Sequence, residues 1–195
     1  MKRQLIGLAL TACAMTAQAQ AREFQFIGTV DQGLPMAPAG SKVTGTFSYN
    51  AATKPEMLIG APSGKAYGYA NYIVAHRITA KVNGHTLTSP VTVVDVVNNA
   101  GANVEDSVSV YSQSPMELDG TQFPEGSFGF YLASGWSQTH VLNDTGLPHR
   151  FHVRRFEGMN YGWAIAHGRP DGGLLSFVID QITPVEGPAA RGERN

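Results

Sequence analysis

The chain has 195 residues, enough for one domain with a packed core, and only 15% of them are charged. The formal net charge is −1, so the sequence gives no electrostatic argument for binding to nucleic acid or to an anionic membrane surface. Glycine occurs 22 times and proline 11 times, which is typical of many turns between short strands rather than of long helices.

The N-terminal segment, residues 1–21, has the pattern of an export signal. A basic start at Lys2 and Arg3 precedes an apolar run from Leu5 to Ala14, which is shorter than the roughly 20 residues that span a bilayer. Small residues then provide cleavage sites around Ala19. The sequence therefore predicts an exported protein, periplasmic or secreted.

Cys13 is the single cysteine, and it lies inside this segment. The run Leu10-Thr11-Ala12-Cys13 has the residue types of a lipobox, so a lipid anchor at Cys13 is the alternative to its removal with the signal. In both cases the mature chain has no disulfide, and its stability must come from a packed core. With no second long apolar segment, the sequence predicts no membrane span.

Alternation of apolar and polar residues predicts a series of strands after the signal. The predicted strands cover residues 23–30, 42–49, 72–82, 86–88, 91–97, 107–112, 128–132, 151–156, 161–167 and 174–183. Asn83-Gly84 predicts a type I′ hairpin, and no segment shows a 3.6-residue apolar repeat.

These features predict an all-β fold, an antiparallel β-sandwich or jelly roll of about nine to ten strands, with a β-barrel as the alternative. Residues 22–185 are expected to form a single domain, followed by a disordered tail at residues 186–195.

Two aromatic strand patterns carry a resemblance to a known group of proteins. Phe24-Gln25-Phe26-Ile27-Gly28-Thr29-Val30 and Val43-Thr44-Gly45-Thr46-Phe47-Ser48-Tyr49-Asn50 resemble the strands of secreted bacterial Gly-rich β-sandwich proteins, many of which carry a PEP-CTERM sorting signal. The tail from Val185 to Pro188 lacks the apolar helix and basic end of such a signal, so the sequence predicts no anchoring of this type. The resemblance implies an exported β-rich fold and brings no catalytic residues with it.

The strand predicted over residues 161–167 is the first candidate for a site. Tyr161, Trp163 and His167 fall on one face, while the small residues Gly162 and Ala164 fall on the other. One interpretation is an aromatic surface that stacks on sugar rings, and the alternative is that the aromatic residues belong to the core.

Polar residues in neighbouring segments could complete such a site. Trp136, His152 and Arg154 could supply hydrogen-bond donors to a ligand. An enzymatic alternative is a sugar-acid lyase or glycan hydrolase, in which Tyr161 with His152 or His167 acts as acid and base. Arg154 would then neutralise a substrate carboxylate. There is no Gly-x-Ser-x-Gly motif to indicate a nucleophilic serine.

Metal binding has weaker support in the sequence. His149 and His152 are three residues apart and point to opposite faces of the predicted strand, so they do not form a zinc-binding pair. Asp119, Asp144 and Asp171 lie in glycine-containing turns, which could hold Ca²⁺ but are also ordinary turn positions. The prediction is therefore no cofactor, with Ca²⁺ as the alternative.

Together these observations predict an exported non-catalytic module that binds carbohydrate or an extracellular matrix polymer. The alternatives are the lyase or hydrolase and a structural surface protein without a small ligand. Nucleic acid is not a predicted partner, and the oligomeric state is left open.

Overall fold

The computed structural model describes residues 21–60, 68–98, 105–113, 115–135, 141–165 and 174–185. These residues form thirteen strands in one antiparallel sheet and one turn of 3₁₀ helix, Val153–Arg155. In chain order the strands are β1 (Ala21–Gln32), β2 (Lys42–Asn50), β3 (Met57–Gly60), β4 (Gly68–Val74), β5 (Ile78–Val82), β6 (His85–Ser89), β7 (Thr92–Asn98), β8 (Ser107–Ser112), β9 (Met116–Leu118), β10 (Thr121–Phe123), β11 (Ser127–Ala133), β12 (Met159–Ile165) and β13 (Leu174–Pro184). Along the sheet their order is β10-β9-β6-β5-β2-β1-β13-β12-β11-β8-β7-β4-β3.

Short connections force this sheet to curl. Strands β4 and β5 are eight positions apart, which in a flat sheet with strands about 4.8 Å apart would separate them by about 38 Å. Residues 75–77 join them, and a connection of that length spans at most about 14 Å. The same eight-position step recurs from β6 to β7 and from β8 to β9. The sheet therefore folds over until its two halves face each other across one core.

The predicted all-β antiparallel class is confirmed, and the two layers of the sandwich are halves of one hydrogen-bonded sheet. There are thirteen strands in the described residues rather than nine or ten. Strands β3, β9 and β10 lie in segments predicted as loops, and the predicted strand 72–82 divides into β4 and β5 at the corner 75–77. The predicted hairpin at Asn83-Gly84 is present, with φ values of 46° and 85°.

The strand predicted over residues 151–156 is wrong, because this segment contains the 3₁₀ turn Val153–Arg155. Phe151 and Phe156 are both buried, at 6% and 5% exposure. Five residues apart on a strand, they would point to opposite faces. The turn brings both rings into the core and leaves Arg154 and Arg155 exposed on the other side.

The core is built around aromatic rings on the inner faces of β1, β2 and β11. Phe47 lies at its centre, and the centroid of its ring is 5.1 to 6.5 Å from the centroids of five other rings. Gly45 makes room for this packing, because a Cβ at that position would overlap the ring of Phe26 and the carbonyl oxygen of Thr79. Val43, Phe47 and Tyr49, which alternate with polar or small residues in the sequence, all lie in the core.

The irregular segment from Val141 to Phe156 closes one end of the curl, and several hydrogen bonds anchor it to the sheet, among them one of 2.7 Å from the hydroxyl of Tyr72 to the carbonyl oxygen of Thr145. The carboxylate of Asp106, which is fully buried, accepts hydrogen bonds from the backbone N–H groups of Val141 and Leu142 at 2.7 and 2.8 Å. The hydroxyl of Tyr49 donates to the carbonyl oxygen of Pro148. These anchors fix the position of the 3₁₀ turn against β13.

Residues 1–20 and 186–195 fall outside the described residues. The predicted export signal, with Cys13, and the predicted disordered tail therefore stay predictions. Within the described part of the chain, no helix has the length and apolar character needed to cross a bilayer.

Candidate functional site

Tyr161 and Trp163 lie on the outer face of β12, away from the core. Tyr161 is 41% exposed and Trp163 is partly exposed, whereas Gly162 and Ala164 between and beside them are buried. A Cβ at Gly162 would overlap the ring of Phe177, so the small residues are needed for close packing on the inner face. The aromatic side chains of this strand therefore belong to the surface and not to the core.

Two further rings extend this pair into a row across three strands. Ring centroids are 5.8 Å apart between Tyr131 and Tyr161, 5.9 Å between Tyr161 and Trp163, and 6.2 Å between Trp163 and Tyr111. We call Tyr131, Tyr161, Trp163 and Tyr111 the outer aromatic row. The separations are those of interacting aromatic side chains, which restrict one another's motion.

Gly129 of β11 allows the row to continue from β12 to β8. It pairs with Trp163 on one side and with Tyr111 on the other, so it stands between the two rings in the sheet. A Cβ on Gly129 would overlap the side chain of Tyr111 and the carbonyl oxygen of Val110. Without a side chain there, the two rings meet across the strand and cover the glycine.

Hydrogen bonds fix the positions of Tyr111 and Tyr131, the two rings at the ends of the row. The Tyr111 hydroxyl donates to Asp95 at 3.1 Å, and the same carboxylate accepts from Tyr69 and Asn71 at 2.8 and 2.7 Å. The Tyr131 hydroxyl donates to Glu105 at 2.9 Å. Burial, reinforced by Asp95, raises the pKa values of Tyr69 and Tyr111 above their ordinary value, so both phenols remain protonated donors.

The two central rings are held differently. The indole Nε1–H of Trp163 donates to Ser127 at 3.3 Å. No described residue forms a hydrogen bond with the hydroxyl of Tyr161, which is also the most exposed ring of the row. Of the four rings, Tyr161 therefore offers the largest exposed fraction to a ligand.

His152 and Arg154 lie in a different place, a groove of about 540 Å³ between the 3₁₀ turn and β13. We call it the arginine groove. It is lined by Phe151, His152, Val153, Arg154, Arg155, Asp180, Gln181 and Ile182. Tyr161 is not among these residues, so the predicted combination of Tyr161 with His152 and Arg154 is not gathered around one pocket.

Asp180 is the carboxylate of this groove, and it already has two partners. Its Oδ2 accepts hydrogen bonds from Thr29 at 2.8 Å and from the ammonium of Lys42 at 3.1 Å. The bond from Thr29, followed by the contacts with Lys42, lowers the pKa of Asp180 below its usual value. The carboxylate is therefore ionised and partly neutralised by the lysine.

Trp136 and His167, the other two predicted site residues, lie outside the described residues, as do His140 and Asp171. Their predicted roles stay predictions.

The turn aspartates that suggested Ca²⁺ bind protein groups in the structure. Asp119 contacts His85 at 2.7 Å and accepts from the backbone N–H of Thr86 at 2.8 Å, while Asp144 accepts from the backbone N–H of Gly146 at 2.8 Å. Within the described ranges there is no group of three or more His, Cys, Asp or Glu side chains arranged to hold a metal ion.

Comparisons of the chain with protein-family models, with curated proteins and with solved structures returned no match in any of the three. The resemblance to secreted bacterial Gly-rich proteins therefore stays a prediction, and the outer aromatic row and the arginine groove are the two features that bear on function.

Proposed function

We propose that the protein is a non-catalytic module that binds carbohydrate or an extracellular matrix polymer through the outer aromatic row. The observation that carries this proposal is the arrangement of four neighbouring rings on the outer face of three adjacent strands. Large aromatic side chains are costly to leave in water, and a contiguous group of them on a surface commonly marks a binding site.

The chemistry of the row suits a sugar polymer. A sugar ring presents C–H groups on its faces and hydroxyls around its rim. Aromatic side chains with a polar tip can match both, because the ring packs against the C–H face while the phenol or indole forms hydrogen bonds. Partly exposed rings held by Asp95, Glu105 and Ser127 lose little conformational freedom on binding, which favours affinity.

The state of Tyr111 and Tyr131 favours binding over catalysis by these two residues of the row. General acid–base catalysis is most efficient when the pKa lies near the working pH. Burial raises the pKa values of Tyr111 and Tyr131, and the neighbouring carboxylates are engaged with their hydroxyls. These groups act as fixed hydrogen-bonding partners rather than as proton carriers.

A glycan array followed by titration tests the proposal. With a polysaccharide that the protein binds, Tyr161→Ala is expected to weaken the affinity about tenfold, because about 1.4 kcal/mol of aromatic burial is lost. Tyr161→Phe keeps the ring and should retain most of the affinity. Leu58→Ala is the matched control, since Leu58 is 50% exposed and pairs with the buried Ala70, so it lies on the opposite face of the sheet from the row. Equal weakening by Tyr161→Ala and Leu58→Ala would contradict the proposal.

A further inference from the structure

The arginine groove exists because β12 and β13 pair over only part of their length. Their backbone pairing runs from Gly162 to Ile165, opposite the first residues of β13. Beyond it, the side chain of Asn160 bridges the strands, donating to the carbonyl oxygen of Ile179 at 2.6 Å and accepting from its N–H at 3.1 Å. Past this bridge the 3₁₀ turn lies beside β13, and the space between them is the groove.

Two exposed arginines dominate the charge of the groove. Arg154 and Arg155 are exposed and form no ion pair or hydrogen bond with any residue that the structure describes. Asp180, the one carboxylate among the described residues that line the groove, is bound by Thr29 and Lys42. Neither guanidinium group therefore has a counter-charge among the described residues. The groove is also lined by Phe151 and Ile182, two apolar core residues that are 6% and 5% exposed.

Guanidinium groups recognise anions of a particular kind. Their planar fork donates two parallel hydrogen bonds, which match a carboxylate or the oxygens of a sulfate ester. The apolar floor can take the body of a sugar ring while the arginines bind its acidic substituent. A neutral sugar has no negatively charged group that could pair with the two guanidinium groups.

We propose that the arginine groove binds an acidic sugar unit, one bearing a carboxylate or a sulfate ester, of the polymer that contacts the outer aromatic row. This inference rests on the proposed function and narrows its ligand to an anionic polysaccharide. The two sites are adjacent: Asn160, next to Tyr161, is hydrogen-bonded to Ile179, next to Asp180. One extended chain can therefore contact the rings and the arginines together.

The test is a titration of the purified full-length protein with three probes: polygalacturonate for carboxylates, dextran sulfate for sulfate esters, and neutral dextran. Arg154→Gln with Arg155→Gln is expected to weaken binding of one anionic probe at least about tenfold. The matched control is Arg77→Gln with Lys81→Gln, which removes the same charge from exposed positions outside the groove and should change the affinity less than about twofold.

The outcomes separate this inference from the proposed function. If Tyr161→Ala weakens polymer binding and the double arginine variant does not, the groove is not the acidic subsite, while the aromatic row stands. If the arginine variant weakens binding and Tyr161→Ala does not, the groove stands and the row fails. Equal effects of the arginine variant and its control, or no binding of either anionic probe, would overturn the inference.

Discussion

Phe47→Ala is expected to lower the free energy of unfolding by about 4 kcal/mol, which is in the range for removing a fully buried aromatic ring. The ring of Phe47 is 1% exposed and lies between rings from β1, β11 and the segment that closes the curl. Its loss leaves a cavity where both halves of the sheet meet, and the stiff sheet can close that cavity only in part. Urea denaturation monitored by circular dichroism measures the change.

Two further variants serve as controls for Phe47→Ala. Phe47→Leu refills much of the volume and should cost clearly less than the alanine variant. Val178→Ala, at an exposed position of β13, should change the stability by less than about 0.5 kcal/mol. A loss below about 1 kcal/mol for Phe47→Ala would mean that the two halves of the sheet do not share this core.

Trp163→Ala is expected to weaken polysaccharide binding about 100-fold, or about 2.7 kcal/mol. Trp163 contacts both Tyr161 and Tyr111, so its removal takes away the largest ring and also divides the outer aromatic row into separate parts. Burying one large aromatic side chain against a ligand accounts for a loss of this size. Isothermal titration calorimetry with the polysaccharide identified on the array gives the ratio of affinities.

Because Trp163 also covers Gly129, folding of the variant has to be checked by thermal unfolding. Trp163→Phe keeps an aromatic ring at the centre of the row and should bind far better than the alanine variant, at similar stability. An alanine variant that folds normally and binds within about twofold of the unchanged protein would exclude Trp163 from the binding surface.

Much of the fold could be predicted from the sequence because strand alternation is a local pattern. Phe24 and Phe26 alternate with polar or small residues in β1, as Phe47 does in β2, and all three lie in the core. The short strands β9 and β10 gave too few residues for a period to appear. The 3₁₀ turn was missed because its two flanking phenylalanines looked like part of a strand.

The candidate site was only partly predictable, since it depends on which strands become neighbours. Tyr161 and Trp163 were identified because they alternate within one strand. Tyr111 and Tyr131 were missed, because their place beside Trp163 follows from the pairing of β8, β11 and β12, which no local pattern encodes. One local signal was available: Gly129 lies between two phenylalanines in a strand. A glycine at such a position indicates that a neighbouring group packs close to the backbone.

The arginine groove shows the same limit. Arg154 is a predicted site residue, and on the predicted strand Arg155 would point to the opposite face. In the 3₁₀ turn both residues line one groove. The prediction of a strand in place of the 3₁₀ turn therefore gives only one of the two arginines of the groove.

The fluorescence of Trp163 tests most directly whether the outer aromatic row binds a polymer. The chain has two tryptophans, so Trp136→Phe leaves Trp163 as the only indole. During titration with a bound polysaccharide, we expect its emission to change and its quenching by iodide to fall, both saturating at the concentrations at which calorimetry detects binding. Polysaccharide binding that leaves the emission and the quenching of Trp163 unchanged would contradict the proposed function.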